Sequence, residues 1–220
     1  ADPGTDILTI AYKHGIYEDF GDEVEAELGD IPNEVDPKEL VNRKDLTGEV
    51  IFTIDGDDTK DIDDAISIEK LENGNYKLGV HIADVSYYVK EGTPLDNEAM
   101  ERGTSVYLVD RVIPMLPHKL SNGICSLNPD VERLAISCVM EVDKHGKTVD
   151  YEIFESVIKS RIQMTYKKVN KILEENVVSE GYEPYVEKLR LMAELASIIR
   201  KSKIQRGYLD FGVDEAKILV

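Results

Sequence analysis

The residues best suited to do chemistry lie together in one short segment, residues 55–64. Six of its ten residues are aspartate: Asp55, Asp57, Asp58, Asp61, Asp63 and Asp64. Carboxylates crowded into so short a segment repel one another, and folding them together raises their pKa values unless a cation lies among them. Their oxygen atoms are the hard ligands that Mg²⁺ and Mn²⁺ prefer. The segment therefore predicts a site for divalent metal ions.

The sequence before this segment favours a catalytic use of the metal. An apolar run at residues 50–54 predicts a buried strand, whose end would hold carboxylates at fixed positions. Asp61 and Asp63 share a face if the chain is extended, whereas Asp61 and Asp64 share one if it coils. Several carboxylates around two cations can stabilise both the attacking and the leaving oxygen in phosphoryl transfer.

Two simpler interpretations compete with this one. A run of acidic residues is commonly a solvated loop, and the residues alone leave that interpretation open. A calcium loop of the EF-hand type requires Gly at its sixth position and Glu at its twelfth. Counted from Asp55, those positions hold Lys60 and Ile66. The pattern therefore argues against an EF-hand.

The overall composition limits the class of protein. The chain has 220 residues and a formal net charge of −18, which suits one sizeable domain or one domain with an appendage. Such a chain is not expected to bind nucleic acid alone, because phosphate contacts need Lys and Arg. No run approaches the length of a membrane span, no signal peptide opens the chain, and Cys125 and Cys138 lack metal-ligand spacing. We therefore expect a cytoplasmic protein with reduced cysteines.

The succession of elements predicts an α+β fold, with a mixed or antiparallel sheet flanked by helices. Residues 1–45 are acidic and are expected to form a connector of short helices, and residues 46–220 the main domain. Strands are predicted over residues 50–54, 65–69, 76–82, 85–89, 133–142 and 148–159. Asn73-Gly74 predicts a hairpin turn between two of them. Helical periodicity predicts helices over residues 163–175 and 184–203.

Several separate motifs give the chain a resemblance to a known family. They are TIDGDDTKDIDDA (53–65), HIADVS (81–86), PMLP (114–117), LSNGICSLNP (120–129) and RGYLDF (206–211). In this order they resemble the RNase II/RNase R exoribonucleases, whose catalytic part is the RNB domain. Residues 5–45 are similar to the helical connector before that domain in bacterial RNase R. The resemblance covers residues 5–220.

The resemblance implies an enzyme that hydrolyses single-stranded RNA processively from its 3′ end and releases nucleoside 5′-monophosphates. The cofactor it implies is Mg²⁺, with Mn²⁺ as the alternative. Four acidic residues of the family, which act both in catalysis and as metal ligands, correspond to Asp55, Asp61, Asp63 and Asp64. Asp57 and Asp58 are not among them and are expected to be solvated. We expect Asp63 to be the hardest to replace, because it would both position a metal and align the attacking water.

Two tyrosines also match positions of the family. Tyr107 corresponds to an aromatic residue that stacks on the terminal nucleotide, and Tyr166 to a tyrosine that senses the ribose. On periodicity alone, both would be ordinary structural aromatics. His81 is expected to be either a satisfied core residue or a residue that supports the metal ligands from behind. His118 departs from the acidic or polar residue common at its position, and His145 lies in a hairpin turn. None of the three histidines is assigned to catalysis.

The resemblance further implies that this chain is the N-terminal part of a longer RNB domain. The remainder would carry a phosphate-contacting arginine and a second stacking aromatic. Cold-shock and S1 modules would supply basic surface in a monomeric full-length protein. The chain alone is then expected to be inactive or weak. Two other classes stay open: a non-catalytic RNA-binding or scaffold module with the same fold, and a calcium-binding structural domain.

Overall fold

Helices and strands occur in separate runs along the chain in the computed structural model, which describes residues 5–108 and 111–209. The strands are β1 (Lys44–Asp45), β2 (Thr53–Asp55), β3 (Asp64–Lys70), β4 (Tyr76–Ala83), β5 (Val106–Tyr107), β6 (Val112–Ile113), β7 (Glu132–Val142), β8 (Thr148–Lys159) and β9 (Gln163–Thr165). The α-helices are α1 (Thr5–Lys13), α2 (Asp22–Asp30), α3 (Glu39–Asn42), α4 (Val85–Tyr88), α5 (Pro94–Arg102), α6 (Tyr166–Glu175) and α7 (Val186–Gln205). A π-helix spans Lys119–Ile124, and a 3₁₀ turn spans Glu183–Tyr185.

A five-stranded sheet in the order β1-β8-β7-β4-β3 forms the centre of the fold. β1 pairs with β8 in parallel, and the other neighbours are antiparallel. The predicted turn between β3 and β4 contains Gly74, whose φ of 84° favours glycine. Beside this sheet, β2 runs parallel to β9, and β5 pairs with β6 in antiparallel fashion. The predicted α+β class with a mixed sheet is confirmed.

Separate hydrophobic clusters hold helices against the sheet. One joins α2 and α5 to β7 through Leu28, Leu95 and Leu134. Another packs α7 on β4 through Leu195 and Tyr76. Burial of such side chains is the main favourable contribution to folding. Helix α2, which precedes β1, is therefore packed on the main domain.

One predicted element is wrong and another begins later than predicted, and side-chain capping contributes to both. Residues 85–88 of the predicted strand form helix α4, because the side chain of Asp84 accepts a hydrogen bond from the backbone N–H of Tyr87 (3.2 Å) and caps a helical turn. Residues 163–165 form strand β9 instead of the first turn of a helix. Helix α6 begins only after Thr165, whose side chain caps it by accepting from the N–H of Lys168.

Other predicted bounds need smaller corrections. The strand predicted at residues 50–54 is shorter, and Phe52 makes only a single bridge to Ile66. The long helix predicted at residues 184–203 is confirmed as α7 (Val186–Gln205). What was predicted for residues 210–220 lies outside the described residues.

A buried ion pair ties the segment before the sheet to the sheet itself. The Arg43 guanidinium donates to Oδ2 of Asp84 at 2.6 Å, and both side chains are buried. Arg43 also lies 3.6 Å from the carboxylate of Glu39 in α3. Asp84 belongs to the HIADVS motif and caps α4 as well. This motif residue therefore links α3, the start of β1 and α4.

His81 occupies the core position that the sequence predicted. It is 1% exposed, its Nδ1 lies 2.7 Å from Oγ of Ser137, and its Nε2 lies 3.1 Å from Oγ of Ser67. Gly79 leaves room for the ring, since an added Cβ would lie 2.8 Å from Nε2. Burial lowers the pKa of His81 to about 4. The imidazole is therefore neutral in the folded protein at neutral pH.

We expect this histidine to make the folded state less stable as the pH falls from 6.5 to about 4. An unfolded His81 takes up a proton near its ordinary pKa, whereas the buried ring does so only near the lower value, so the unfolded state binds more protons in this window. The difference corresponds to roughly 3 kcal/mol. Denaturant unfolding at a series of pH values measures it. The free energy of unfolding of His81→Gln should fall less steeply with decreasing pH than that of the wild type. His145→Gln, in the exposed turn, is the control and should keep the wild-type slope. Equal slopes for His81→Gln and wild type would refute the assignment.

The two cysteines differ in their exposure. Both cysteines are free, and Cys125 is buried whereas Cys138 is partly exposed. Burial raises the pKa of Cys125 to about 12, so its thiol is protonated at neutral pH. Within residues 5–108 and 111–209, no helix is both long enough and apolar enough to cross a membrane.

Candidate active site

Two strands hold the ends of the aspartate-rich segment. Strand β2 ends at Asp55, which lies opposite Thr165 of β9. Strand β3 begins at Asp64, which lies opposite Ile82 of β4. Residues 56–63, here called the acidic loop, connect the two strands. The first and last of the four predicted acidic residues are thus fixed by strand pairing.

The acidic loop forms one wall of an open cleft of about 1700 Å³. Asp61, Asp63 and Tyr107 all line this cleft. The Tyr107 hydroxyl donates a hydrogen bond to Oδ2 of Asp61 at 3.4 Å. Because Tyr107 is 68% exposed, its ring is accessible to a ligand. The structure therefore brings two of the predicted carboxylates and one predicted tyrosine onto the same surface.

The other predicted residues flank the cleft instead of lining it. Asp55 is half-buried at the end of β2, and Asp64 is exposed at the start of β3. Tyr166 opens α6 and is 61% exposed. It directly follows Thr165, which does line the cleft. Tyr166 is therefore one residue away from the cleft surface along the chain.

The aspartates affect one another's protonation. Burial raises the pKa of Asp55, and the charge of Asp64 raises it further. Burial also raises the pKa of Asp63, with added repulsion from Asp61 and Asp64. The charge of Asp61 raises the pKa of the Tyr107 hydroxyl. A cation bound among these groups would relieve the repulsion.

One carboxylate oxygen of the segment has no partner of its own. Oδ2 of Asp55 is buried and makes no hydrogen bond within the described residues, and a buried acceptor without a partner destabilises the fold. A hard divalent ion would supply that partner, and the donors offered here are all carboxylate oxygens, as Mg²⁺ and Mn²⁺ prefer. In the described part of the chain, no three His, Cys, Asp or Glu side chains are arranged to hold a metal ion together. The donor chemistry fits such an ion, and the full ligand set stays a prediction.

We expect Asp55→Asn to raise the thermal stability of the metal-free chain. The amide removes a charge that burial and Asp64 disfavour. With Mg²⁺ the wild-type chain should become the more stable of the two. An ion at about 100 times its Kd stabilises the wild-type chain by about 2.7 kcal/mol, and the variant should lose most of this gain. Thermal unfolding with and without Mg²⁺ measures both effects. Asp57→Asn removes the same charge at an exposed position and should keep the Mg²⁺ gain; if Asp55→Asn keeps it too, Asp55 is not a ligand.

Side chains that sequence analysis did not single out hold the acidic loop in place. Oγ of Ser126 donates to the carbonyl oxygen of Lys60 (2.8 Å) and accepts from the N–H of Ile62 (3.0 Å). Nε2 of Gln163 donates to the carbonyl oxygen of Thr59 (2.9 Å). The sequence offers one indication of this role, the position of Ser126 within the LSNGICSLNP motif, and that position alone does not identify a function.

Cationic and polar side chains complete the cleft wall. Lys60 and Arg111 line it, and Arg111 pairs with Glu18 at 3.1 Å. His118 lines it as well, with its Nδ1 3.0 Å from Nδ2 of Asn122. The cleft therefore offers positive and hydrogen-bonding groups to a phosphate beside its aspartates.

Most of the chain, residues 43–220, matches the model of the RNB domain. The chain belongs to the RNB domain family. It is 52% identical over 222 residues to the ribonuclease R of Thermotoga maritima, an alignment that covers 100% of this chain and 31% of that protein. It also matches the structure of Mycoplasma genitalium RNase R in complex with ribose-methylated single-stranded RNA, with a TM-score of 0.92 and 32% identity, over 100% of this chain and 34% of that one. The predicted resemblance is confirmed, and the chain spans about a third of the length of these RNB relatives.

A second solved structure separates fold from activity. Yeast Ssd1, described as a pseudonuclease, matches with a TM-score of 0.71 and 22% identity, over 93% of this chain and 25% of that one. At this identity the likeness shows the fold alone. The RNB fold is therefore compatible with a protein that is not a nuclease, and the residues of the site must carry any argument about activity.

Proposed function

We propose that the full-length protein carrying this RNB chain is a metal-dependent 3′-to-5′ exoribonuclease. It hydrolyses single-stranded RNA processively and releases nucleoside 5′-monophosphates. Its metal ion, Mg²⁺ or Mn²⁺, is bound by Asp55, Asp61, Asp63 and Asp64. The observation that carries this proposal is the unrelieved repulsion at the site, where raised carboxyl pKa values and one unpartnered buried oxygen adjoin an open cleft. The likeness to an RNase R bound to single-stranded RNA supports it.

The chain's own residues have distinct roles in this proposal. When bound, the metal ion supplies Lewis acidity toward the phosphate and lowers the pKa of water. Asp61 and Asp63 orient the reacting groups from the cleft wall. Lys60 and Arg111 lie on the same cleft and offset the charge of the RNA phosphates. The roles require only that an RNA end enter the cleft, which its open shape allows.

We propose that the two tyrosines recognise an RNA end in a way that does not depend on the identity of the base. Stacking needs only an exposed ring face, which Tyr107 offers beside Asp61. Tyr166 lies next to the cleft residue Thr165 and is proposed to contact the ribose, where the 2′-hydroxyl distinguishes RNA from DNA.

We expect Tyr107→Ala to weaken binding of single-stranded RNA by about 1–3 kcal/mol, because one stacking face is lost. Tyr107→Phe keeps the face and loses only the hydrogen bond to Asp61, so it should bind as the wild type does. Fluorescence anisotropy with labelled RNA in EDTA measures affinity without hydrolysis. Tyr151→Ala, which removes a 65% exposed tyrosine of β8, is the control. Equal losses for the Ala and Phe variants would contradict a stacking role.

A non-catalytic RNA-binding module is the second candidate. The fold is compatible with it, since yeast Ssd1, described as a pseudonuclease, has a similar fold. The binding-module hypothesis gives no reason, however, for four carboxylates held so close together. Because both candidates would bind RNA, a measurement of RNA hydrolysis distinguishes them.

The deciding experiment follows a 5′-labelled single-stranded RNA incubated with the full-length protein and Mg²⁺. The proposal expects a ladder that shortens from the 3′ end, is abolished by EDTA and is absent with DNA of the same sequence. Binding of the same RNA without any shortening would establish the binding module instead. Replacing Mg²⁺ by Ca²⁺ tests the calcium-binding structural domain, which would gain stability without turnover.

The remaining proposals concern the full-length protein. We propose that it is a cytoplasmic monomer in which cold-shock and S1 modules supply the basic surface that a chain of net charge −18 lacks. The division into a connector at residues 1–45 and a catalytic part at residues 46–220 stays a prediction. The chain alone is expected to hydrolyse RNA weakly or not at all.

A further inference from the structure

We propose that Ser126 is a positioning residue for Asp61 and Asp63, an inference that rests on the proposed function. Ser126 is 0% exposed, so its hydroxyl has only protein partners. It donates to the carbonyl oxygen of Lys60 at 2.8 Å and accepts from the N–H of Ile62 at 3.0 Å. These two groups lie immediately before and after Asp61. A single buried hydroxyl therefore fixes the backbone on both sides of one cleft aspartate.

Backbone hydrogen bonds extend this support to the next aspartate. The N–H of Leu127, the residue after Ser126, donates to the carbonyl oxygen of Ile62 at 2.9 Å. The N–H of Ala83 donates to the carbonyl oxygen of Asp63 at 2.9 Å. Successive peptide groups between Asp61 and Asp63 are thus held by two other parts of the chain. The relative position of the two carboxylates depends on this set of bonds.

Arg133 in turn fixes Ser126. Its Nε donates to the carbonyl oxygen of Ser126 at 2.9 Å, and its NH1 donates to the carbonyl oxygen of Glu132 at 2.8 Å. Arg133 is itself buried within β7, a central strand of the sheet. The acidic loop is therefore connected through one serine to a central strand of the five-stranded sheet.

Such support matters because carboxylates bind and orient an ion only within narrow geometry. Removing a group that orients metal ligands typically costs about 10- to 100-fold in metal affinity or activity. Ser126→Ala deletes the hydroxyl and leaves Lys60 and Ile62 without that partner. The aspartates themselves are untouched, so any loss reflects their position.

The test compares Ser126→Ala with Ser156→Ala. Ser156 is also 0% exposed, and its Oγ is hydrogen-bonded to Oγ of Ser137 at 2.7 Å and to the carbonyl oxygen of Ala135 at 3.2 Å, but within the described residues it makes no hydrogen bond to the acidic loop. Thermal unfolding of the chain in a Mg²⁺ titration reports the apparent metal affinity. Steady-state hydrolysis by the full-length protein over a range of RNA concentrations reports kcat and KM separately. Ser126→Cys, with a weak S–H donor in nearly the same volume, replaces the alanine variant if that fails to fold.

Ser126→Ala is expected to lower both the apparent Mg²⁺ affinity and kcat by about 10- to 100-fold, with KM for RNA unchanged. Ser156→Ala should match its loss of metal-free stability and keep wild-type Mg²⁺ affinity and kcat. The positioning role is overturned if Ser126→Ala keeps the wild-type Mg²⁺ affinity and kcat. It is also overturned if Ser126→Ala and Ser156→Ala lose Mg²⁺ affinity and kcat equally. A wild-type protein that neither responds to Mg²⁺ nor hydrolyses RNA overturns the proposed function itself, a result distinct from these.

Discussion

Asp63→Asn in the full-length protein is expected to lower kcat by at least about 10²- to 10³-fold while RNA binding persists. Asp63 lines the cleft, and its pKa is raised by burial and by the charges of Asp61 and Asp64. The amide keeps the shape of the side chain but removes the charge that would orient a metal ion and water. Binding should not weaken, because the substitution removes a negative charge from a surface that RNA phosphates must approach.

Single-turnover hydrolysis and anisotropy on the same RNA separate the two effects. Asp57→Asn is the matched control, since Asp57 is exposed, lies in the same loop and lies outside the proposed ligand set. It should retain wild-type kcat. Near-normal hydrolysis by Asp63→Asn would remove Asp63 from the mechanism, and a parallel loss of RNA binding would place it in substrate binding instead.

The place of the acidic segment at the end of a strand could be predicted from the sequence because its signal is local. The aspartates are neighbours in the chain, and the apolar run before them indicates the strand that precedes the loop. The hairpins at Gly74 and Gly146 could also be predicted, since each is a turn with a left-handed glycine between alternating runs. Tyr107 required the family resemblance, because nothing in its own neighbourhood distinguishes it from a core tyrosine.

What could not be predicted depends on contacts between distant residues. Ser126 lies 66 positions after Lys60, whose carbonyl oxygen accepts its hydrogen bond, and no local sequence pattern connects the two residues. Strand β9 is three residues long and exists because it pairs with β2, which a periodicity argument cannot detect. Helix α4 was mistaken for a strand because its apolar residues fit either form, and the capping bond from Asp84 decides between them.

A second large effect is expected from breaking the buried ion pair between Arg43 and Asp84. Arg43→Met should lower the free energy of unfolding by about 3–5 kcal/mol, because it leaves the Asp84 carboxylate buried without its cation. The pair is 2.6 Å apart and both side chains are almost fully buried, so solvent cannot replace the lost partner. Asp84 would keep only its bonds to Ser86 and Tyr87. Denaturant unfolding at neutral pH measures the loss.

Lys44, the next residue in the chain, is the control, because its substitution also removes a positive charge at nearly the same place in the sequence. Lys44 pairs with Glu152 at 2.9 Å, but both side chains are at least half exposed, so Lys44→Met should change stability by no more than about 1 kcal/mol. Adding Asp84→Asn to Arg43→Met should recover part of the lost stability, since the uncompensated charge is removed. If Arg43→Met costs no more than Lys44→Met, the pair does not anchor α3 and β1 to the sheet. If the double variant recovers nothing, the cost comes from lost packing of Arg43 over the ring of Tyr87 and not from the buried charge.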